Sequence, residues 1–496
     1  MLRSALGWTT PLPERARPPA LPPDAKVPAL CVVILVVGTR GDVQPFLPIG
    51  RYLAAAGHRV RLASHAVFRS FVEENGLEFF PLAGDPAELS AYMTRTGGRI
   101  LPGSPSELFE DVPRKRKLIA EILASTWAAC TQPDPEHPAQ TPFVADAIIA
   151  NPLSFGHIHV AEALGAPLHI AFPMPWTPTT FWPHPLARLR SDRPQPLENL
   201  LSWGAIETLL WTGAGDLINE FRENTLDLSP RHLGGHAAGI LHERAVPHAY
   251  LWSPAFLPPP RDWGAEIDIT GWCFLDRTSD WQPPPDLMSF LAAGPPPLYV
   301  GFGSCIAEDP AQLTKTVIEA ARRAGVRLLL SRGWSGLGNE SLPEEVLLLD
   351  DCPHDWLFPR CLAVCHHGGA GTIAAGLRAG RPTIVVPFFG DQTFWGERIH
   401  AAGAGPAPLP AATLDPEALA VNASPILGVM SAVCSSAPLV TRWCMARPMR
   451  PVICAPRCAG SIGQSATTVA PPPPSAKWRR TPSSNCSRAR ARSSKI

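Results

Sequence analysis

The sequence predicts an α/β protein of two domains, and three stretches carry that prediction. Residues 362–392 read as a short apolar strand, a glycine-rich turn, a helix and a second strand. Residues 31–63 repeat the pattern, with a continuous β-branched run, a polar turn, a helix and another strand. Between these halves lie proline clusters at 258–260, 283–285 and 295–297, which read as a connector. Parallel strands joined by helices place ligands at the carboxyl ends of the strands, so the loops after each strand are where chemistry is expected.

Composition narrows the class. A chain of 496 residues that is 45% hydrophobic is globular and long enough for two or three domains. The 43 basic residues equal the 43 acidic ones, which argues against a nucleic-acid binder. That balance is uneven along the chain, because all acidic residues fall at or before Glu417. The twelve cysteines are scattered without framework spacing, so a reducing compartment is expected. The apolar run 29–38 is too short to span a bilayer, and the proline-rich start is a poor secretory signal. A cytoplasmic protein touching membranes only peripherally is the expectation.

Taken in order, residues 1–28 read as a disordered proline-rich start. Residues 29–256 form the first domain. Cys31–Val37 is its first strand, and it ends at Gly38-Thr39-Arg40-Gly41-Asp42-Val43. A helix carrying Phe46, Ile49 and Leu53 follows, then the strand Arg59–Ala63. The turn lacks Gly-x-Gly-x-x-Gly, which weakens any nicotinamide reading. Asp42 has two readings from its position: a base that takes a proton from an acceptor hydroxyl, or a carboxylate capping its own helix. Ala145–Ala150 and Pro167–Phe172 are further strands. Val160–Leu164 is a helix, with His157 and His159 just before it on a possible cleft edge. The segment 173–184, rich in proline and aromatics and including Pro173 and Trp176, suits either core packing or a stiff wall for a flat apolar acceptor. Leu200–Phe221 is an amphipathic helix whose apolar face fits a core or a lipid surface. Short strands at 249–252 and 267–270 close this half, and 257–296 is the connector.

The second domain, 297–421, opens with the strand Pro297–Gly301, followed by Ser304, where a hydroxyl can meet a phosphate or a sugar. A helix 311–324 and the strand Val326–Ser331 lead to Trp334, a candidate to stack on a nucleobase. After the strand Val346–Leu349 comes a loop containing Cys352. The central block then reads AVCHHGGAGTIAAGLRAGRPTIVVPFFGDQ over 363–392. Its turn is an anion site in the making. Glycines let the backbone approach a phosphate, helix-start N–H groups point at it, and Thr372 adds a hydroxyl. His366 stands at the strand end, within reach of a diphosphate. Asp391 and Gln392 leave the next strand in the same crevice, and an acid beside an amide suits sugar hydroxyls. Two rival readings are a plain packing turn and a zinc site at Cys361, Cys365, His366 and His367. The latter lacks a second paired cluster.

The segments His366–Thr372, Pro387–Gln392 and Gly38–Pro45 resemble motifs of the family 1 glycosyltransferases, most nearly the sterol 3-beta-glucosyltransferases. The resemblance runs over about 32–410 and is long through 151–186. It implies a GT-B fold, with two Rossmann-like domains facing across a cleft. It implies inverting transfer of glucose from UDP-glucose to a sterol 3-hydroxyl, with Asp42 as general base. Donor contacts are implied for Thr39, Arg40, Asp42, Ser304, Trp334, Cys352, His366, Gly369, Gly371, Thr372, Asp391 and Gln392, and acceptor contacts for His157, Pro173 and Trp176. No cofactor or metal is expected, since UDP-glucose is a co-substrate. Another lipophilic acceptor, such as a polyketide or phenolic, is the alternative, as is a UDP-sugar binder without turnover. The resemblance ends near residue 420. Residues 422–496 are basic and low in complexity, reading as an out-of-frame translation or as a tail that binds anionic lipid. The family's crossing C-terminal helix is missing there, which puts domain closure in question.

Overall fold

Twelve strands in two wholly parallel sheets organise the described part of the molecule, a computed structural model. The described residues are 28–99, 101–139, 141–187, 195–232, 239–275, 281–339 and 341–422. The expected N-terminal segment through residue 27 and the tail from 423 lie outside them.

The first sheet takes β1 (Cys31–Leu35), β2 (Arg59–His65), β3 (Glu78–Leu82), β4 (Ala147–Ala150), β5 (Leu168–Phe172), β6 (His248–Tyr250) and β7 (Ile267–Ile269) in the order β3-β2-β1-β4-β5-β6-β7. The second takes β8 (Leu298–Gly301), β9 (Leu328–Ser331), β10 (Val346–Leu349), β11 (Ala363–His366) and β12 (Thr383–Val385) in the order β10-β9-β8-β11-β12. Each order reverses once, between β1 and β4 and between β8 and β11, and a crevice opens at each reversal. Gly38–Asp42 and Asn151–His157 leave the strand ends at the first crevice; Phe302–Ser304 and His367–Thr372 leave those at the second.

The strands are read easily because both faces are buried. Val32 to Leu35 and Leu328 to Leu330 are completely inaccessible, as expected for parallel strands covered by helices on both sides. Several boundaries differ from expectation. The helix after β4 spans His157–Leu164 rather than starting at Val160, and the long helix spans Pro196–Asn224. Within the region 257–296, the expected strand at 267–270 is β7, which joins the first sheet, and a helix, Pro285–Ala292, follows it. The sheet edge therefore extends past the expected domain limit at 256.

The two sheets share one apolar cluster. Phe172, Trp203, Tyr250, Trp252 and Trp272 from the first half pack with Ile373, Leu377, Phe394, Trp395 and Ile399 from the second. Polar contacts also cross. Ser90 Oγ donates to the Ser304 carbonyl at 2.5 Å, and Arg40 meets Asp351 at 3.3 Å. The two ends of that ion pair are 37% and 64% exposed, so the aromatic contact contributes far more.

Candidate active site

Asp42 sits where the β1 turn enters a short helix, Arg40–Val43, and its own hydrogen bonds explain its placement. The Thr39 N–H donates to Asp42 Oδ2 at 2.7 Å, and Thr39 Oγ1 lies 3.2 Å from the same oxygen. The capping reading is thus realised by the very residue that faces the crevice. Gly38 makes this geometry possible. Its φ of +143° is left-handed, and a β-carbon there would lie 2.3 Å from Asp42 Oδ2. Two residues that the sequence did not single out brace the turn. His65 Nε2 accepts the Gly38 N–H at 3.3 Å while Nδ1 lies 3.0 Å from the Ala83 carbonyl. Asn151 holds Val37 from both sides, accepting its N–H at 3.2 Å and donating to its carbonyl at 2.7 Å. Burial pushes the Asp42 carboxyl up to about 6, against the lowering effect of the Thr39 N–H.

Thr39 is therefore the partner of Asp42. Arg40 reaches the other half of the molecule, pairing with Asp351 and lying 4.8 Å from the Phe71 ring centroid.

Across the crevice, β11 ends at His366, and the helix Ala370–Arg378 begins after the N-cap Gly369. Gly371, in the first turn, is exposed, and a β-carbon there would meet open space. The helix start thus presents backbone toward a vacant volume, as an anion site requires. His366 is fully buried, and its Nδ1 accepts the Gly368 N–H at 3.0 Å. Burial pushes its pKa well down, so the ring is neutral and the proton sits on Nε2. Among the described residues that buried Nε2–H has no hydrogen-bond partner. Thr372 is half-buried one turn into the same helix.

Asp391 and Gln392 follow β12, but their side chains do different things. Gln392 is buried, with its amide oxygen accepting the N–H groups of Phe388 and Phe389 at 2.7 and 3.1 Å. Its nitrogen lies 3.6 Å from Cys305 Sγ. It shapes the loop before Asp391. Asp391 Oδ2 accepts the Trp395 indole N–H at 2.8 Å. Burial pushes Asp391 up to about 7, the indole N–H opposes this, and the Asp42 charge adds to the rise. The two acids, one from each half, are within electrostatic reach of each other.

The remaining donor candidates, Ser304, Trp334 and Cys352, follow β8, β9 and β10. The Trp334 backbone N–H donates to the Gly303 carbonyl at 2.9 Å, and the residue is 39% exposed. Ser304 is half-buried, and its carbonyl is held by Ser90. Cys352 is half-buried in the loop after β10, with burial pushing its thiol to about 12. The acceptor candidates divide. Trp176 is half-buried, its ring 5.9 Å from Phe172 and 5.2 Å from His184. Pro173 is half-buried at the end of β5. His157 is inside the fold, Nδ1 lying 3.2 Å from Ser154 Oγ, with burial driving its pKa to about 3. His159 is likewise internal, 2.9 Å from Arg222. A small cavity beside Trp176 is lined by Glu207 and His248. Glu207, raised to about 8 by burial, gave no signal in the sequence beyond a lone acid on an apolar helix face.

Comparison with known proteins agrees with this layout. The glycosyltransferase family 28 N-terminal domain model matches residues 32–183, and the erythromycin biosynthesis protein CIII-like C-terminal domain model matches 332–457. Two proteins of Arabidopsis thaliana, both named sterol 3-beta-glucosyltransferase, are 50% identical to the chain over 386 and 396 residues. These alignments cover 77% and 79% of this chain but 58% and 62% of those proteins, so the chain spans about three fifths of their length. Among solved structures, the kitacinnamycin glycotransferase superposes with a TM-score of 0.58 at 18% identity, covering 84% of this chain and 95% of that one. That likeness establishes the GT-B fold: two Rossmann-like domains facing across a cleft.

Proposed function

We propose, from the premise that this chain is a homologue of the sterol 3-beta-glucosyltransferases, that it transfers glucose from UDP-glucose to the 3-hydroxyl of a membrane sterol. The observation that carries the reading is that Asp42 of the first sheet lies near enough to Asp391, beside the glycine turn of the second, for its charge to raise that acid.

The diphosphate is assigned to the start of the helix Ala370–Arg378, where backbone N–H groups and the dipole favour negative charge. His366 Nε2–H supplies a further donor. Ser304, Trp334 and Cys352 are assigned to the nucleoside, and Asp391 to the glucose hydroxyls. Asp42 takes the proton of the acceptor hydroxyl as its oxygen bonds to the anomeric carbon. The bond from that carbon to the diphosphate breaks, UDP leaves with the electron pair, and the configuration inverts to a β-glucoside. Charge developing on the leaving diphosphate is met by the helix start and His366. These groups supply the positive field, so no metal is included in the proposal. The acceptor is assigned to the first domain, on the side of Pro173 and Trp176. Work at a membrane surface in the cytoplasm is part of the proposal. Among the described residues no helix is long and apolar enough to cross a membrane.

The test is transfer of labelled glucose from UDP-glucose to sterol in vesicles by the full chain. A sterol glucoside is the expected product. Glucosylation of phenols but not sterols would replace the acceptor, and UDP binding without any transfer would overturn the enzymatic reading.

A further inference from the structure

We propose that Trp395 is a positioning residue for the donor sugar: its indole N–H fixes the Asp391 carboxylate, and its ring ties that carboxylate to the packing between the domains. The proposal rests on the donor reading above. Trp395 is completely buried, so any effect on a ligand passes through Asp391.

The geometry has two parts. Asp391 is the N-cap of the helix Gln392–Ala401, and Trp395 lies one turn in. The Trp395 backbone N–H donates to the Asp391 carbonyl at 3.0 Å, and the indole N–H donates to Oδ2 at 2.8 Å. Two bonds from one residue fix both the backbone and the rotamer of the acid. With Oδ2 held, the carboxylate can turn its other oxygen toward a hydroxyl without swinging.

The second part is what holds Trp395. Its ring centroid lies 5.6 Å from Trp252, 6.2 Å from Phe256 and 6.1 Å from Trp272, all in the first half of the chain. The indole is therefore seated by the opposite domain. Separating the halves would remove three aromatic neighbours from the residue that orients Asp391. The contact that seats Trp395 is also one that joins the half carrying Asp42 to the half carrying Asp391. Phenylalanine at 395 keeps the apolar contact and deletes only the donor, leaving Asp391 Oδ2 without its partner.

The experiment measures binding of UDP and of UDP-glucose to the full chain and to its Trp395→Phe variant. UDP affinity is expected to stay within about twofold, because the nucleotide contacts lie elsewhere, while UDP-glucose affinity falls about ten- to a hundredfold, the span of a hydrogen bond to a charged group. In an Asp391→Asn background, the same substitution is expected to add little, since the two residues act as one unit. Equal losses for both ligands would mark Trp395 as merely structural and overturn the inference, as would unchanged UDP-glucose affinity. Should Trp395→Phe fail to fold, Phe256→Leu perturbs the same ring from the other domain. It is held to the same criterion: selective loss of UDP-glucose supports the inference, and equal loss or none overturns it. A wild-type chain that binds no UDP overturns the donor reading and this inference together. Wild-type binding of UDP-glucose with an indifferent variant overturns the inference alone.

Discussion

Asp42 spends one oxygen on capping its helix and is raised to about 6 by burial. Only the ionised form can accept a proton, and a raised pKa keeps that form scarce at low pH. Transfer should therefore fall about tenfold per pH unit below about 6 and level off above it. Replacing Asp42 by Asn should lower kcat by about 10²- to 10⁴-fold while leaving UDP affinity intact, because UDP is assigned to the other sheet. Steady-state rates and UDP calorimetry would check both, and joint loss of rate and UDP binding would contradict the assignment. Gly38 sharpens the point. Alanine there would add a β-carbon 2.3 Å from the Asp42 oxygen at a left-handed φ. Gly38→Ala should depress kcat toward the level of Asp42→Asn without touching Asp42 chemically. Retained activity would show that the cap is dispensable. These roles were only partly legible from sequence. Asp42 and the glycine turn sit beside apolar strand runs, which point to strand ends. His65, Asn151 and Trp395 reach their partners across 27, 114 and 4 residues, respectively, and nothing local in their types announces a bracing task.

The helix Ala370–Arg378 is the element on which donor binding depends, and its first turn separates stability from function. An acidic residue at Gly371 would meet open space and would favour the helix through its dipole by about 0.3–1 kcal/mol. The same charge would repel a diphosphate. Gly371→Asp should thus fold at least as well as the wild type and lose UDP affinity by tenfold or more, read by thermal melts beside a titration. If UDP binds undiminished, the diphosphate lies elsewhere. The helix starts at Ala370, although its opening Ala-Gly-Thr reads as turn chemistry in the sequence. The parallel strands were legible because burial on both faces leaves unbroken apolar runs. Elsewhere the signal was weaker. The helix Val112–Thr131 starts with a basic cluster and has few buried residues, so its period is faint. Strand β7 was expected at 267–270, but the proline clusters on either side of it put it in the connector rather than in the sheet that it joins through β6.

At the scale of the whole molecule, the question is how the two sheets stay together. Within the described residues they share a buried aromatic cluster whose centre is Trp252 against Trp395. Trp252 is fully buried, stacks on Tyr250 at 4.6 Å and donates its indole N–H to the Leu257 carbonyl at 3.0 Å. Removing such a ring costs about 3–5 kcal/mol, and here the loss falls on the contact between domains as well as inside one of them. The wild-type chain should therefore unfold in one cooperative transition despite having two sheets. In Trp252→Ala the first sheet should melt earlier, leaving a second transition that UDP still shifts upward, because the glycine turn and His366 belong to the other half. Transfer should be lost while UDP binding survives, since Asp42 and Asp391 then no longer meet in a fixed geometry. Calorimetric scans with and without UDP would decide. If Trp252→Ala still melts in a single transition, displaced as a whole by UDP, the domains are held by something other than this cluster, and the link drawn from the interface through Trp395 to Asp391 loses its basis.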